Sequence, residues 1–165
     1  MRNAIWWVAV VALASGCASP PGHHEQSAAQ SVAVTDQWAT AGDMGMAAVF
    51  GTFTNTGHRD AHIVSGTSPA AGRVEVHEVV PDASGAKTMR PKAGGITVPA
   101  GGTRELAPGG DHLMLMDLTG PLQPGAHVAL TVMFDDRSTL PVTAQIRDFA
   151  GGNEEYQPSM PHDHG

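Results

Sequence analysis

Short alternating runs separated by turn residues constrain the fold of this chain more than any other feature. Between Val32 and Asp148, β-branched or alternating apolar runs follow one another, and Gly, Pro, Asn or Asp separates nearly every pair. No segment after the N-terminal apolar run shows helical periodicity over ten or more residues. The pattern predicts an all-β domain, built as an antiparallel sandwich or barrel. The predicted strands are 32–38, 47–55, 61–67, 73–80, 87–90, 95–98, 103–107, 112–118, 127–134 and 139–147.

The N-terminus has the pattern of a lipoprotein signal. Arg2 precedes the apolar run Ile5–Ala14, which is too short to span a bilayer, and residues 13–17 read Leu-Ala-Ser-Gly-Cys. An ordinary secretory signal with an incidental cysteine is the alternative. Because Cys17 is the only cysteine in the chain, we expect cleavage before it and lipidation of its thiol. The mature protein would then be extracytoplasmic, in the cell envelope, and anchored to a membrane.

The remaining chain divides into three parts. Residues 18–31 are polar and rich in Pro, Ser, Gln and Ala, which predicts a flexible tether. Residues 32–148 form the predicted domain, and residues 149–165, which lose the strand pattern, are predicted to be a mobile tail.

Charge and cysteine content exclude several classes of function. Without Arg2 the mature chain carries 8 basic and 16 acidic residues, so a basic nucleic-acid-binding face is not expected. Lipidation of Cys17 leaves no thiol for a disulfide, a nucleophile or a thiolate metal ligand. The sequence also contains no Ser-His-Asp order and no glycine-rich phosphate loop. We therefore do not expect an enzyme.

One histidine and one methionine occupy neighbouring predicted strands. Val74 and Val76 belong in the core by alternation, so His77 is expected to point outward or towards an edge. The turn around Gly85 predicts a hairpin, which would bring Met89 near His77.

A second group lies in the segment His112–Met116. A period of two puts His112, Met114 and Met116 on one face and the two leucines on the other. A lone histidine is usually a satisfied polar residue and a lone methionine usually fills a core gap, and core packing is our interpretation of Met116. The conjunction with His77 and Met89 in a cysteine-free domain nevertheless predicts a metal site.

The ligand types indicate which metal would bind. Thioether sulfur is soft and neutral, so it favours Cu(I) over Mg, Ca or Mn, which prefer oxygen. Zinc prefers thiolate, imidazole and carboxylate. A blue-copper site is excluded because it requires a cysteine thiolate.

Five segments of the domain, which include the order His…Met…His-x-Met, match a known family pattern: 68–78, 89–91, 94–95, 98–102 and 106–116. Through them the sequence resembles the periplasmic Cu(I) chaperones of the PCuAC type over about residues 38–147. The resemblance implies a cupredoxin-like, antiparallel Greek-key sandwich that binds Cu(I) at a solvent-accessible site. It also implies delivery of copper to the CuA centre of cytochrome c oxidase, directly or with a Sco-type partner protein.

Carried over by position, the resemblance implies the metal ligands His77, Met89, His112 and Met114. Some relatives have a methionine directly after the first histidine, where this chain has Glu78. A weaker hypothesis is that histidines near the two ends of the mature chain capture Cu(II). The remaining histidines and methionines named below are interpreted as surface or packing residues. The end group comprises His23, His24, Met160, His162 and His164, and the remaining residues are His58, His62, His127, Met44 and Met46.

Two other functions stay open beside the metallochaperone. A copper-buffering or tolerance lipoprotein would use the same site without a dedicated acceptor. A metal-free interaction sandwich, a function of another class, would leave the His-Met-Met face unexplained.

Overall fold

The computed structural model describes residues 26–43, 45–151 and 155–158. This part of the chain contains one short helix and eleven strands. In chain order they are α1 Ala28–Ser31, β1 Val32–Thr40, β2 Met46–Asn55, β3 Ala61–Thr67, β4 Ala71–Pro81, β5 Lys87–Pro91, β6 Ile96–Val98, β7 Thr103–Leu106, β8 His112–Leu118, β9 His127–Phe134, β10 Thr139–Arg147 and β11 Glu155–Tyr156. The predicted all-β class is confirmed, and the ends of β1 to β10 lie within two residues of the predicted runs.

The strands form one continuous sheet that closes on itself. Its order is β11-β5-β4-β8-β2-β1-β10-β9-β3-β6, and β7 pairs with β2. A further pairing of Gly66 with Val74 joins β3 to β4, so seven strands surround a common interior. The pairing is antiparallel except between β1 and β10 and between β11 and β5, which are parallel.

The core lies inside this ring. The inward residues of each strand are aliphatic or aromatic, and those with the least exposure include Ile63, Leu115, Val132 and Phe134. Because strand residues alternate between faces, one face of β4 and β8 packs into the core and the other face points away from it.

Two short elements fall in segments where the sequence predicted no regular structure. Helix α1 lies in the predicted tether and is held by the β9–β10 turn, since its Ala28 N–H donates to Asp136 Oδ2 at 2.8 Å and its Ala29 N–H to Ser138 Oγ at 3.0 Å. Strand β11 lies in the predicted mobile tail and pairs with β5. In the described ranges no helix has the length and apolar character needed to cross a bilayer.

Several sequence predictions concern residues outside the described ranges. They are the signal peptide of residues 1–17 with Cys17, the methionines Met44 and Met160, and the histidines His23, His24, His162 and His164.

The turn before β6 provides a stringent test of this fold. Gly94 and Gly95 both have positive φ, of 81° and 75°, but an added Cβ meets nothing within 4 Å at Gly94 and overlaps the carbonyl oxygen of Ile63 at Gly95. We expect Gly94→Ala to lower the free energy of unfolding by about 1–2 kcal/mol and Gly95→Ala by about 3 kcal/mol or more. Urea unfolding of the two variants measures the difference. Equal losses would contradict the close approach of this turn to β3.

Candidate metal centre

Strand pairing collects the four candidate ligands on the outer face of the sheet. His77 of β4 lies directly opposite His112 of β8, and Met114 lies opposite Glu75. The predicted hairpin of β4 and β5 is confirmed, with Met89 opposite Val79. Directly opposed residues share a face, so these side chains project together, away from the core. We call His77, Met89, His112 and Met114 the His–Met cluster.

The side chains of the cluster lie beside one another. His112 Nε2 lies 3.1 Å from Met89 Sδ, and the ring centroids of His77 and His112 are 5.6 Å apart. Met114 packs in the same group of buried residues as Met89. A separation of 3.1 Å is compatible with one metal bonding both atoms at about 2.0–2.3 Å, the range for nitrogen and sulfur ligands.

The backbone assigns the tautomer of His112. Its Nδ1 lies 3.0 Å from the carbonyl oxygen of Gly110. Because a carbonyl can only accept a hydrogen bond, Nδ1 carries the hydrogen and donates it. In the neutral ring Nε2 then carries the lone pair, and Nε2 is the atom that lies against the Met89 sulfur.

A carboxylate assigns the tautomer of His77 in the same way. His77 Nε2 lies 2.8 Å from Glu75 Oε2, and an ionised carboxylate only accepts, so Nε2 donates. His77 Nδ1 is fully buried and has no hydrogen-bond partner in the described structure. In the neutral ring this nitrogen carries the lone pair, which is the arrangement of a metal-binding histidine oriented by a carboxylate.

Charge around Glu75 keeps it in the accepting form. Burial alone raises the pKa of Glu75, but the hydrogen bonds from His77 and Arg73 outweigh it and hold that pKa below its ordinary value. Arg73 also pairs with Asp117 at 2.6 Å. The carboxylate is therefore ionised at neutral pH and orients the imidazole of His77.

His77 points outward, as predicted, but neighbouring residues cover it, so this ring does not have the solvent access that the family resemblance implies. Its exposed fraction is 0%. Tyr156 of β11 stacks on it, with centroids 5.4 Å apart and planes 2° from parallel. Strand β11 is held beside β5 by the Gln157 N–H, which donates to the carbonyl oxygen of Met89 at 2.8 Å. A strand distant in sequence thus covers a face that local pattern leaves open.

The predicted division of β8 into two faces is confirmed. Leu113 and Leu115 belong to the main core, whereas Met114 and Met116 form a separate small cluster with Met89. Our interpretation of Met116 as a packing residue is confirmed, since it is buried in this small cluster. It packs beside the candidate ligands, on the outer face.

A pocket of about 320 Å³ opens beside the cluster. Phe50 lies on its wall with its ring centroid 5.9 Å from that of His112, and Phe149 packs against Phe50 and Trp38 at centroid distances of 6.4 and 5.3 Å. The lining residues include Met46, Phe50, Met89, His112, Met114, Phe149 and Tyr156. Apolar walls therefore surround the thioether and imidazole atoms.

Ion pairs brace the loop that enters β8. Asp111, directly before His112, is buried and pairs with Lys92 at 3.2 Å and with Arg104. Lys92 also donates to Glu78 at 2.8 Å, and this hydrogen bond is the main cause of the raised pKa of Lys92 and the lowered pKa of Glu78. Glu78, which replaces the extra methionine of some relatives, therefore braces this loop rather than joining the cluster.

The other histidines named from the sequence lie elsewhere. His58 and His127 are exposed, and the half-buried His62 bonds Thr97 at 3.0 Å. Among the described residues, no three His, Cys, Asp or Glu side chains converge in a way that could hold a metal.

Glu75 and Tyr156 are site residues that the sequence interpretation missed. Alternation could have revealed Glu75, which is two positions before His77 on the same face. For Tyr156 no local signal exists, since β11 comprises only two residues.

Comparison with solved structures places this fold among the PCuAC domains. The copper-bound PCuAC domain from PmoF2 aligns with a TM-score of 0.60 at 18% identity, covering 74% of this chain and 97% of that one. The solution structure of CuI-DR1885 from Deinococcus radiodurans aligns with a TM-score of 0.52 at 30% identity, covering 78% and 88%. The fold and the sequence likeness define a protein of the PCuAC type.

Comparison with protein-family sequences identifies the family. The family described as "Putative lipoprotein LpqE-like" matches residues 32–146. "Putative lipoprotein Lxx21020" of Leifsonia xyli subsp. xyli is 44% identical over 129 residues, 78% of this chain and 77% of that protein. The chain belongs to the LpqE-like family.

The stacked tyrosine generates a prediction about His77. We expect Tyr156→Ala to raise the reactivity of His77 towards diethylpyrocarbonate by about two- to tenfold, because an aromatic pair is worth about 0.5–1.5 kcal/mol. Tyr156→Phe keeps the stacked ring and should react as the wild type does. Mass spectrometry of the labelled peptide measures the rate. Wild-type reactivity of His77 in both variants would show that Tyr156 does not cover this ring.

Proposed function

We propose that this protein is an extracytoplasmic Cu(I) metallochaperone. Its cargo would be held by His77, Met89, His112 and Met114. The observation that carries the proposal is the convergence of two oriented imidazoles with thioether sulfur on one outer face, with His112 Nε2 3.1 Å from Met89 Sδ. A cluster that served only as core packing would have no need of a buried imidazole nitrogen without a partner.

The chemistry of this donor set favours the monovalent ion. Two neutral imidazoles and two neutral thioethers supply no anionic ligand, and soft sulfur prefers Cu(I) among the common metals. The likeness to CuI-DR1885, at 30% identity, supports the same choice. Glu75 would act behind His77 by orienting it, as carboxylates do behind metal-bound histidines.

Transfer of the ion would proceed by exchange of ligands, with no catalysed reaction. Each thioether–copper bond can be replaced by a ligand of an acceptor, and neither copper nor protein changes oxidation state in such a step. Neutral thioethers carry no proton, so release does not require protonation of the methionines.

The lipid anchor belongs to the same proposal. Cys17 follows small residues and an apolar run, and the family and the Leifsonia relative are both described as lipoproteins. Lipidation at Cys17 would hold the domain at a membrane surface. The protein would thus meet membrane-bound acceptors without diffusing away from the cell envelope.

The proposed acceptor is the CuA centre of cytochrome c oxidase, reached directly or through a Sco-type protein. This choice follows from the family resemblance. A buffering lipoprotein would use the same ligands and differ only in having no dedicated acceptor.

Removal of two ligands tests the site. We expect His112→Ala with Met114→Ala to weaken Cu(I) binding by about 100-fold or more, since altering groups that merely support metal ligands already weakens binding by about 10–100-fold. Anaerobic titration of the full-length protein against a competing chelator measures affinity and stoichiometry. The double variant His127→Ala with Met133→Ala removes the same residue types from β9 and should bind as the wild type does. Equal binding by both double variants would refute the ligand set.

Deletion of the gene tests the acceptor. If the protein supplies the CuA centre, loss of the gene should lower oxidase activity under copper limitation, and added copper should restore it. Activity should also return with the wild-type gene and not with the variant altered at His112 and Met114. Unchanged oxidase activity together with raised copper sensitivity would favour the buffering function instead.

A further inference from the structure

An exposed methionine marks the mouth of the pocket beside the His–Met cluster. Within the described residues three large apolar side chains are exposed: Met46 at 36%, Val64 at 42% and Phe149 at 37%. Two of them, Met46 and Phe149, line the same pocket as Met89, His112 and Met114. Exposed apolar side chains that gather at one opening indicate a place where something binds.

The position of Met46 follows from strand register. Met46 begins β2 and lies directly opposite Met116, and the next residue on its face, Ala48, lies opposite Met114. Its thioether is therefore on the outer face that carries the cluster. The sequence interpretation of Met46 was core or edge packing. Met46 is exposed and lies outside the buried group formed by Met89, Met114 and Met116, so core packing does not apply to it.

Much of the His–Met cluster is covered by neighbouring residues. Tyr156 covers the ring of His77, and β11 runs along β5 beside Met89. The exposed fractions of His77 and Met89 are 0% and 7%. The pocket reaches both Met89 and His112, so it offers an ion or an incoming ligand a route to the cluster.

Resting on the proposed function, we propose that Met46 is a capture ligand, which binds Cu(I) transiently as the ion passes between the solvent or an acceptor and the buried cluster. A copper–sulfur bond forms at Met46 while a bond to an incoming or outgoing ligand breaks. Copper remains Cu(I) throughout, and no proton or electron moves. Met46 would therefore change the rates of loading and release in equal proportion and leave the equilibrium affinity unchanged.

The test replaces the sulfur and keeps the apolar volume. Met46→Leu is a volume-conserving change of the kind that even packed cores tolerate well. Met133→Leu, at a half-buried position of β9 outside the pocket, is the matched control. Full-length wild type and variants are loaded with Cu(I) anaerobically and mixed with bicinchoninate in a stopped-flow instrument, and loading from the bicinchoninate complex gives the reverse rate.

We expect Met46→Leu to slow both directions by about three- to tenfold with an unchanged dissociation constant, a change in rates without a change in affinity. Met133→Leu should match the wild type in rates and affinity. Wild-type rates in Met46→Leu would overturn the capture role, and so would a weakened affinity, which would make Met46 a ligand of the resting site. Failure of the wild type itself to bind Cu(I) would overturn the proposed function as well, so the two failures are distinguishable.

Discussion

The pairing of β4 with β8 is the constraint on which the rest of the structure depends. Its register sets His77 opposite His112 on one face and, on the other, Val76 opposite Leu113 and Val74 opposite Leu115. A shift of one residue in either strand would move its apolar set out of the core and its imidazole into it. The hydrophobic effect that buries the leucines and valines therefore also selects the arrangement that brings the imidazoles together.

Burial of the cluster has an energetic consequence. A buried polar atom without a partner costs about 1–3 kcal/mol, and His77 Nδ1 is such an atom in the described structure. An ion bound there would remove this cost, and binding that favours the folded state adds to stability. Glu75 and Gly110 fix which nitrogen of each ring carries the hydrogen, so little reorganisation of the rings is needed before a metal binds. Under the proposed function, copper binding and folding stability would be coupled through the same two histidines.

Burial of the His–Met cluster affects how tightly an ion could be held and how fast it could exchange in different ways. Tyr156, Phe149 and Phe50 surround the cluster with aromatic side chains, and such a surrounding excludes water and oxidants from a soft ion. A carrier must still release its ion, so one side of the site has to stay accessible. In this protein the pocket, whose lining runs from Met46 of β2 to Met89 of β5, provides that access. Under the proposed function, both loading and release of the ion would pass through this pocket.

Most of the fold could be predicted from the sequence because strand alternation and turn residues are local signals. They predicted β1 to β10, the β4–β5 hairpin and the two faces of β8, with His112 and Met114 on one and the leucines on the other. The prediction of all four ligands rested on this pattern together with the family resemblance. The same alternation places Glu75 on the face of His77, although its role as a hydrogen-bond acceptor for that ring follows only from the structure.

Tertiary structure alone decided how accessible the cluster is. Whether an outward strand face meets water depends on which distant segment lies over it, and Tyr156 reaches His77 through β11, a strand of two residues with no periodicity to reveal it. The placement of Met46 at the mouth of the pocket likewise follows from the pairing of β2 with β8. The alternation of side chains between two faces is a property of a single strand, so it can be read from the sequence. Whether a face is covered depends on two segments far apart in the chain, so it is decided only when the chain folds.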